Sequence, residues 1–417
     1  MAGGPLGSLC AGKIPMLDDG SELLTGPNVG DLLKAAVRHA GGELVSWSLD
    51  HVDQAPEQYT TATYMAKVLW PHGERDELLG VSARSGGQTT PSDANAQIFN
   101  DGNRRVAVWL YPNDPDLPGL ARAAFPDRMA EVLNQGKVFA RPITGEQLSL
   151  SMIGYRPRRR AVVKVVAESQ VFYVKVLRER LFPDVHHKHA LLLDAGLPAP
   201  EVAMTTPDYL LVTRELPGTS LARAIFEPGD PCQAEELIAM LDAMPPAVSQ
   251  LHRRPPWSDA VEHYGRLVVA PLPALTDEVR WTVRHIERGL EHCPLGDEPT
   301  HGDFHEGQVR VDGGRVVGIL DVDTVGPGRR ADDLACLVGH LMTIQRMNAQ
   351  QTAKLQDILT RWVGVFDKRV DPVELRLRAA AVILSLATGP YRSQEPDWEH
   401  QTRQMVRSAS DLVRQVV

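Results

Sequence analysis

Two short stretches late in the chain hold residue types that could do chemistry. The first, His301-Gly-Asp-Phe-His-Glu-Gly-Gln308, sets a carboxylate, Asp303, five residues ahead of an amide, Gln308. The second, Gly318-Ile-Leu-Asp-Val-Asp323, ends in two alternating carboxylates, Asp321 and Asp323. Phosphoryl transfer needs a carboxylate to orient the attacking hydroxyl and accept its proton, and oxygen ligands that fix Mg2+ on the nucleotide phosphates. Asp303 suits the first task. The amide oxygen of Gln308 and the carboxylate of Asp321 suit the second, and Asp323 either joins them or faces solvent as a strand-end acid. A lone Asp in such a loop is more often a cap or a turn residue. The combination carries the reading.

The elements that must position these groups are legible in outline. Between the two stretches, VRV-Asp312-Gly-Gly-RVVGIL has the Asp-Gly signal of a tight hairpin, which brings Asp321 and Asp323 back to the mouth of the first loop. Upstream, residues 138–228 are strand-rich: LSLSMIGYR, RAVVKVVA and QVFYVKVL, then a helical run, VHHKHALLLDAG, and another strand, YLLVTREL, closed by Pro217-Gly218. Lys175 lies between Val174 and Val176 and points to the opposite face of its strand. From residue 232 onward the pattern is mostly amphipathic helix. Residues 30–95 alternate strand-like runs (ELVSWSL, TATYMAKVLW) with turns and close in Ser85-GGQTTPSDAN. The segment RVAVWLY, Pro112-Asn-Asp-Pro-Asp and its following helix carry no legible role.

The expected organisation is an α+β, two-lobed plan: an N-terminal β-rich cap (1–100), an intermediate segment and strand-rich lobe (101–228), and a helical lobe (229–417). The cleft between the lobes is where chemistry is expected. At 417 residues with 43% apolar and 23% charged residues, the composition is that of a globular protein. No run of roughly 18 apolar residues is present to cross a membrane, and the N-terminus has no basic region ahead of its apolar patch. Four scattered cysteines, Cys10, Cys232, Cys293 and Cys336, without metal-type spacing, fit a reducing compartment. A cytoplasmic location is expected. The net charge of −9 disfavours a nucleic-acid partner despite the basic Arg156-Pro-Arg-Arg-Arg160. Histidines at 301 and 305, and at 186, 187 and 189, match no zinc pattern and are expected to serve loop packing and a solvated helix face.

Taken in register, HGDFHEGQ and ILDVD resemble the eukaryotic-like kinase superfamily, and more closely its aminoglycoside phosphotransferase and choline kinase branch, whose patterns are HGDxHxxN and IDxD. The resemblance covers about residues 140–417. It implies a two-lobed kinase fold, with Asp303 as catalytic base, Gln308 and Asp321 as metal ligands, and Asp333 as a structural aspartate. Lys175 would hold the nucleotide phosphates, and Arg214, Glu215 and Leu216 would form the hinge against adenine. ATP and Mg2+ are the implied co-substrate and cofactor. Gln308 stands where Asn is usual; it keeps the amide oxygen and adds a methylene, as in maltokinase-like sugar kinases and their glucosamine-kinase relatives. Two departures stand out: no glycine-rich loop precedes Lys175, and the helix after it has no Glu to pair with that lysine. Glu179, Asp184 or a histidine of His186-His187 are the candidate substitutes.

For the acceptor, Thr388-GPYRSQEPDWEHQ sets Trp398 among Glu395, Asp397 and Glu399. It serves equally as an ordinary helix start, but an indole face beside carboxylates suits an amino sugar. The expected acceptor-side residues are Asp303, His305, Asp332, Tyr391, Arg392, Glu395, Trp398 and Glu399. The expected reaction is phosphorylation of the 6-hydroxyl of glucosamine, with maltose, an aminoglycoside, or a non-catalytic nucleotide-binding role as alternatives.

Overall fold

The computed structural model describes residues 19–55, 58–85, 96–100 and 104–417; Cys10 and the stretch Gly86–Asn95 expected to close the cap lie outside them. The chain divides into two compact units, Met1–Tyr111 and Pro112–Val417.

In the first unit, helices α1 (Ser21–Thr25) and α2 (Val29–His39) accompany five strands, β1 (Glu43–Ala55), β2 (Tyr59–Trp70), β3 (Gly73–Ser85), β4 (Gln97–Asn100) and β5 (Arg104–Leu110). They pair antiparallel in the order β1-β2-β3-β5-β4. Along β2 alternate residues Ala62, Tyr64, Ala66 and Val68 are buried while Met65, Lys67 and Leu69 are exposed, the period-2 signature of a sheet with one covered face. The buried residues of α2, Val29, Leu33, Ala36 and Val37, recur at helical spacing.

The second unit opens with α3 (Leu120–Ala123) and α4 (Pro126–Gln135), then an antiparallel sheet in the order β6-β7-β8-β10-β9. Its strands are β6 (Leu148–Arg156), β7 (Arg160–Ala167), β8 (Gln170–Leu177), β9 (Val202–Thr205) and β10 (Leu210–Arg214), with α5 (Phe182–Asp194) between β8 and β9. Phe172, Val174 and Val176 are buried on one face of β8, and Lys175 stands on the other.

After a short β11 (Thr219–Ser220) the chain turns helical: α6 (Leu221–Ala224), α7 (Ala234–Asp242), α8 (Val261–Val269) and α9 (Thr276–Leu290), then α10 (Arg330–Thr343), α11 (Ala349–Phe366), α12 (Pro372–Leu386), α13 (Gly389–Arg392) and α14 (Trp398–Arg414). Between α9 and α10 run β12 (Glu298–Thr300), the hairpin β13 (Val309–Asp312) and β14 (Arg315–Ile319), and β15 (Gly326–Gly328). The hairpin turns on Gly313 and Gly314, both at positive φ, as a two-residue primed turn requires. The architecture is the two-lobed α+β plan of the kinases, a strand-rich lobe followed by a helical one. Phe304, Val309, Ile319, Val322 and Val325 are buried in the core of the helical lobe, so the segment that carries the polar residues is anchored from beneath. Burying a side chain such as Phe304 contributes about 2–3 kcal/mol to that anchoring. Among the described residues no helix is long and apolar enough to cross a membrane.

Candidate active site

The loop His301–Gln308 is shaped by one buried carboxylate. Asp333, near the start of α10, accepts the backbone N–H of His301 at 2.9 Å and of Gly302 at 2.8 Å, and the guanidinium of Arg330 at 3.2 Å. The His301 ring is buried, its Nε2 2.9 Å from the Leu320 carbonyl, and Thr324 donates to the His301 carbonyl at 2.6 Å. Gly302 sits at φ +78°, where a Cβ would lie 2.6 Å from the Thr324 carbonyl oxygen; the position admits only glycine. These contacts fix the loop at Asp303, whose carboxylate is half-buried and has the thiol of Cys336 as its neighbour at 3.9 Å.

The far end of the loop is tied to the hairpin. The Gln308 carbonyl accepts from Leu320 N–H at 2.7 Å, which sets Gln308 beside the end of β14, one residue before Asp321. Asp321 adopts a left-handed conformation, φ 51° and ψ 50°, uncommon for a non-glycine residue and the kind of backbone strain that gathers at functional sites. It turns the chain so that Asp321 and Asp323 face one cation. Lys175 of β8 donates to Asp321 at 2.8 Å and to Asp323 at 2.6 Å, and Arg160 of β7 lies 3.3 Å from Asp321 and 3.7 Å from Asp323. Burial alone would push both carboxyls up. The cations outweigh it, Lys175 and Arg160 at Asp321, Lys175 and His189 at Asp323, and both carboxylates are held below their ordinary range. Burial likewise works to lower Lys175, and its two carboxylates reverse the sign.

The lysine's missing glutamate is thereby accounted for. Helix α5 turns Val185, Lys188, His189 and Leu192 inward. Lys188 donates to the Asp323 carbonyl at 3.0 Å and pairs with Asp184 at 2.8 Å, while His189 Nε2 lies 3.8 Å from the Asp323 carboxylate. The helix that would supply an acid supplies cations instead, and the partners of Lys175 come from the loop after β14.

The segment Pro112–Asp116, without a role in the sequence, fixes the β6–β7 turn. Asp114 accepts Arg158 N–H and the Tyr155 hydroxyl, both at 2.7 Å, and Asp116 pairs with Arg158 at 3.0 Å. The β6–β7 turn is thus held by these acids. Only the Asx-rich spelling of that segment could have hinted at it.

At the hinge, Arg214 N–H donates to the Glu201 carbonyl and Glu215 N–H to the Val171 carbonyl, so these two amides are engaged within the lobe. Arg310 of β13 reaches the carbonyls of Leu216, Pro217 and Gly218. A Cβ at Gly318 would meet Leu216 Cδ1 at 2.8 Å, which brings the hinge leucine directly over β14.

The expected acceptor residues separate into groups. His305 stays in the loop, its Nε2 3.1 Å from the Gln308 amide. Asp332 is largely buried and bonded to Arg378 at 2.6 Å and to Arg329 N–H at 3.1 Å, within a network that includes Glu374. Glu395 and Asp397 both pair with Arg346, at 2.9 and 3.2 Å, and both accept from Gln401. Tyr391 packs edge-on against Trp398, Arg392 ends α13, and Glu399 is exposed near Arg403. This second group forms a cluster of its own around the start of α14.

The structure thus gathers the loop that carries Asp303, the carboxylates of Asp321 and Asp323 after one hairpin, and a strand lysine from the opposite lobe. Residues 157–364 match the APH family, described as the phosphotransferase enzyme family. No curated protein sequence matches the chain. Among solved structures, it is similar to a thermostable mutant of aminoglycoside phosphotransferase APH(4)-Ia, at 15% identity over 64% of this chain and 95% of that one, TM-score 0.45. It is also similar to macrolide 2'-phosphotransferase MphH from Brachybacterium faecium, at 14% identity over 67% and 98% of the two chains, TM-score 0.42. A third is an ethanolamine kinase of Plasmodium vivax, at 12% identity over 70% and 90%, TM-score 0.41.

Proposed function

We propose that the chain is an ATP- and Mg2+-dependent kinase that phosphorylates a hydroxyl of a small polyhydroxylated acceptor. The observation that carries this is the bridging of Asp321 and Asp323 by Lys175 beside a loop that presents Asp303. Two half-buried carboxylates facing one ammonium form a pocket built for positive charge. With the amide oxygen of Gln308 they supply an all-oxygen donor set, which fits Mg2+. When bound, Mg2+ would neutralise charge on the transferring phosphates.

The residues of the chain then divide the work. Asp321, Asp323 and Gln308 would hold the metal. Lys175, released from its carboxylates, would turn to the phosphates, and Arg160 at the base of the β6–β7 turn would add a second cation there. Asp303 would accept the hydroxyl proton, since its loop is fixed from behind by Asp333 and its carboxylate is only half-buried. The hinge would receive adenine through backbone groups around Glu215 and Leu216.

The acceptor reading we favour is glucosamine, phosphorylated at its 6-hydroxyl, because the acids near Trp398 suit an ammonium. An acceptor without the amine would leave such a carboxylate unpaired, a loss that can reach about 10⁴ in specificity and is smaller where solvent enters. A neutral sugar such as maltose is the second reading. It is favoured by the pairing of Arg346 with both Glu395 and Asp397, which leaves less carboxylate for a substrate amine. Comparing kcat/KM for glucosamine, glucose, N-acetylglucosamine, maltose and an aminoglycoside separates these. Glucosamine should lead and N-acetylglucosamine should be poor. Equal or better turnover of glucose or maltose sinks the amino-sugar reading, and preference for the aminoglycoside moves the enzyme to antibiotic modification.

A further inference from the structure

Beside the oxygen-lined metal pocket, the loop carries a second group of ligand atoms with different chemistry. Asp303, His305 and His340 of α10 each offer one, and the three lie within 4.8 Å of one another. The spacing of His301 and His305 in the sequence gives no hint of this, because His301 is turned into the protein interior and the partner of His305 comes from α10. The two imidazoles stack at 4.1 Å with an interplanar angle of 7°. Glu306 adds a carboxylate 3.8 Å from His305 Nδ1 and 3.9 Å from His340 Nδ1, and its Oε2 is buried with no hydrogen-bond partner. Parallel rings this close disfavour two imidazolium charges. Neutral imidazole is the form that binds metals.

We propose that Asp303, His305 and His340 form a second cation site, for a borderline divalent ion of the Zn2+ class, whose occupation withdraws the Asp303 carboxylate from the acceptor hydroxyl and inhibits transfer. Imidazole ligands favour such ions, whereas Mg2+ prefers the all-oxygen set at Asp321 and Gln308. Bond lengths of roughly 2.0–2.2 Å set tetrahedral ligand atoms about 3.3 Å apart, so the side chains draw together on binding. His305 Nδ1 exchanges its contact with Gly307 N–H, 3.1 Å, for the metal. Its Nε2–H then donates to the Gln308 amide oxygen after the amide rotates, the outer-sphere hydrogen bond that metal-bound imidazoles characteristically make. Glu306 lies alongside to offset the added charge. The inhibitory half of this inference rests on Asp303 acting as the base; the binding half does not.

The test uses tag-free full-length protein in millimolar Mg2+. Zn2+ binding is measured by competition with a chromophoric chelator, and Co2+ serves as a spectroscopic probe of nitrogen ligation. Wild type should bind one Zn2+ per chain. His340→Asn should weaken binding at least ~10-fold, and His340→Cys, which restores a ligand, should recover it; both should keep the melting behaviour and the Zn2+-free turnover of wild type. Added Zn2+ should inhibit wild type and spare His340→Asn. Equal Zn2+ affinity in wild type and His340→Asn, or no binding at all, overturns the site. Binding without inhibition overturns the inhibitory half, and Zn2+ affinity unchanged in Asp303→Asn overturns the assignment of Asp303 as a ligand. Lack of turnover with every acceptor counts against the phosphotransfer reading alone and leaves the binding result standing.

Discussion

Lys175 donates to Asp323 at 2.6 Å across the two lobes of the kinase unit, and the same ammonium reaches Asp321 at 2.8 Å. One side chain therefore ties the strand that would hold phosphates to the loop that would hold metal. Lys175→Met should lower kcat/KM by roughly 10²–10³, the usual cost of removing one preorganised electrostatic donor. Steady-state kinetics at saturating acceptor is the check. Activity within a few-fold of wild type would take the lysine out of phosphate binding.

Asp303→Asn should cut kcat by ~10² or more and leave nucleotide affinity unchanged, because the base acts on the acceptor and not on ATP. Isothermal titration with a non-hydrolysable ATP analogue, run beside turnover, separates the two effects. Equal losses in both would assign Asp303 to nucleotide binding.

Gln308→Asn shortens the reach of the amide oxygen but keeps it, whereas Asp321→Ala removes a charged ligand that also pairs with Lys175 and Arg160. Partial activity with a raised Mg2+ requirement is expected for the first and none for the second. A Mg2+ titration in which both variants are equally dead contradicts the placing of Gln308 among the metal ligands.

Glu374 is buried between Arg329 and Arg378, with contacts of 2.7 Å to each. Burial pushes its carboxyl up, but the two guanidinium groups outweigh this and hold it below the ordinary range. A folded-state value below the unfolded one means that ionised Glu374 stabilises the protein above its unfolded value near 4.3. That contribution is lost as pH falls through the lowered folded value. Glu374→Gln takes the acid from Arg329 and leaves Arg378 only Asp332, and should cost about 3 kcal/mol at pH 7. Melting curves of both proteins between pH 3 and 8 should show the gap closing below pH ~4. A gap of constant size would contradict the assignment.

Much of the site was legible because its residues lie close in sequence. HGDFHEGQ and ILDVD are joined by one short hairpin, so spacing alone brings Asp303, Gln308 and Asp321 to one mouth, and period-2 alternation places Lys175 opposite Val174 and Val176. What escaped the sequence depends on long-range packing. Asp114 meets the β6–β7 turn over a separation of more than forty residues, and His340 reaches His305 from a helix on the far side of the hairpin. Neither carries a local signal. The acids near Trp398 were visible, but their partner Arg346 belongs to another turn, and its pairing with Glu395 and Asp397 could not be read from charge pattern. Strands β1 and β2 of the cap were legible from alternation, whereas α2 lies inside the stretch read as strands and turns, although its buried residues recur at helical spacing.

The central claim is that this cleft transfers phosphate from ATP to a hydroxyl. It is tested most directly by measuring ADP release from Mg2+-ATP with and without a panel of sugars, amino sugars and aminoglycosides, with Asp303→Asn as the control. The account predicts release that depends on both an acceptor and Mg2+, a phosphorylated acceptor in equal amount, and loss of both in the variant. Tight nucleotide binding with no acceptor raising ADP release above the acceptor-free background would contradict it and leave a nucleotide-binding module.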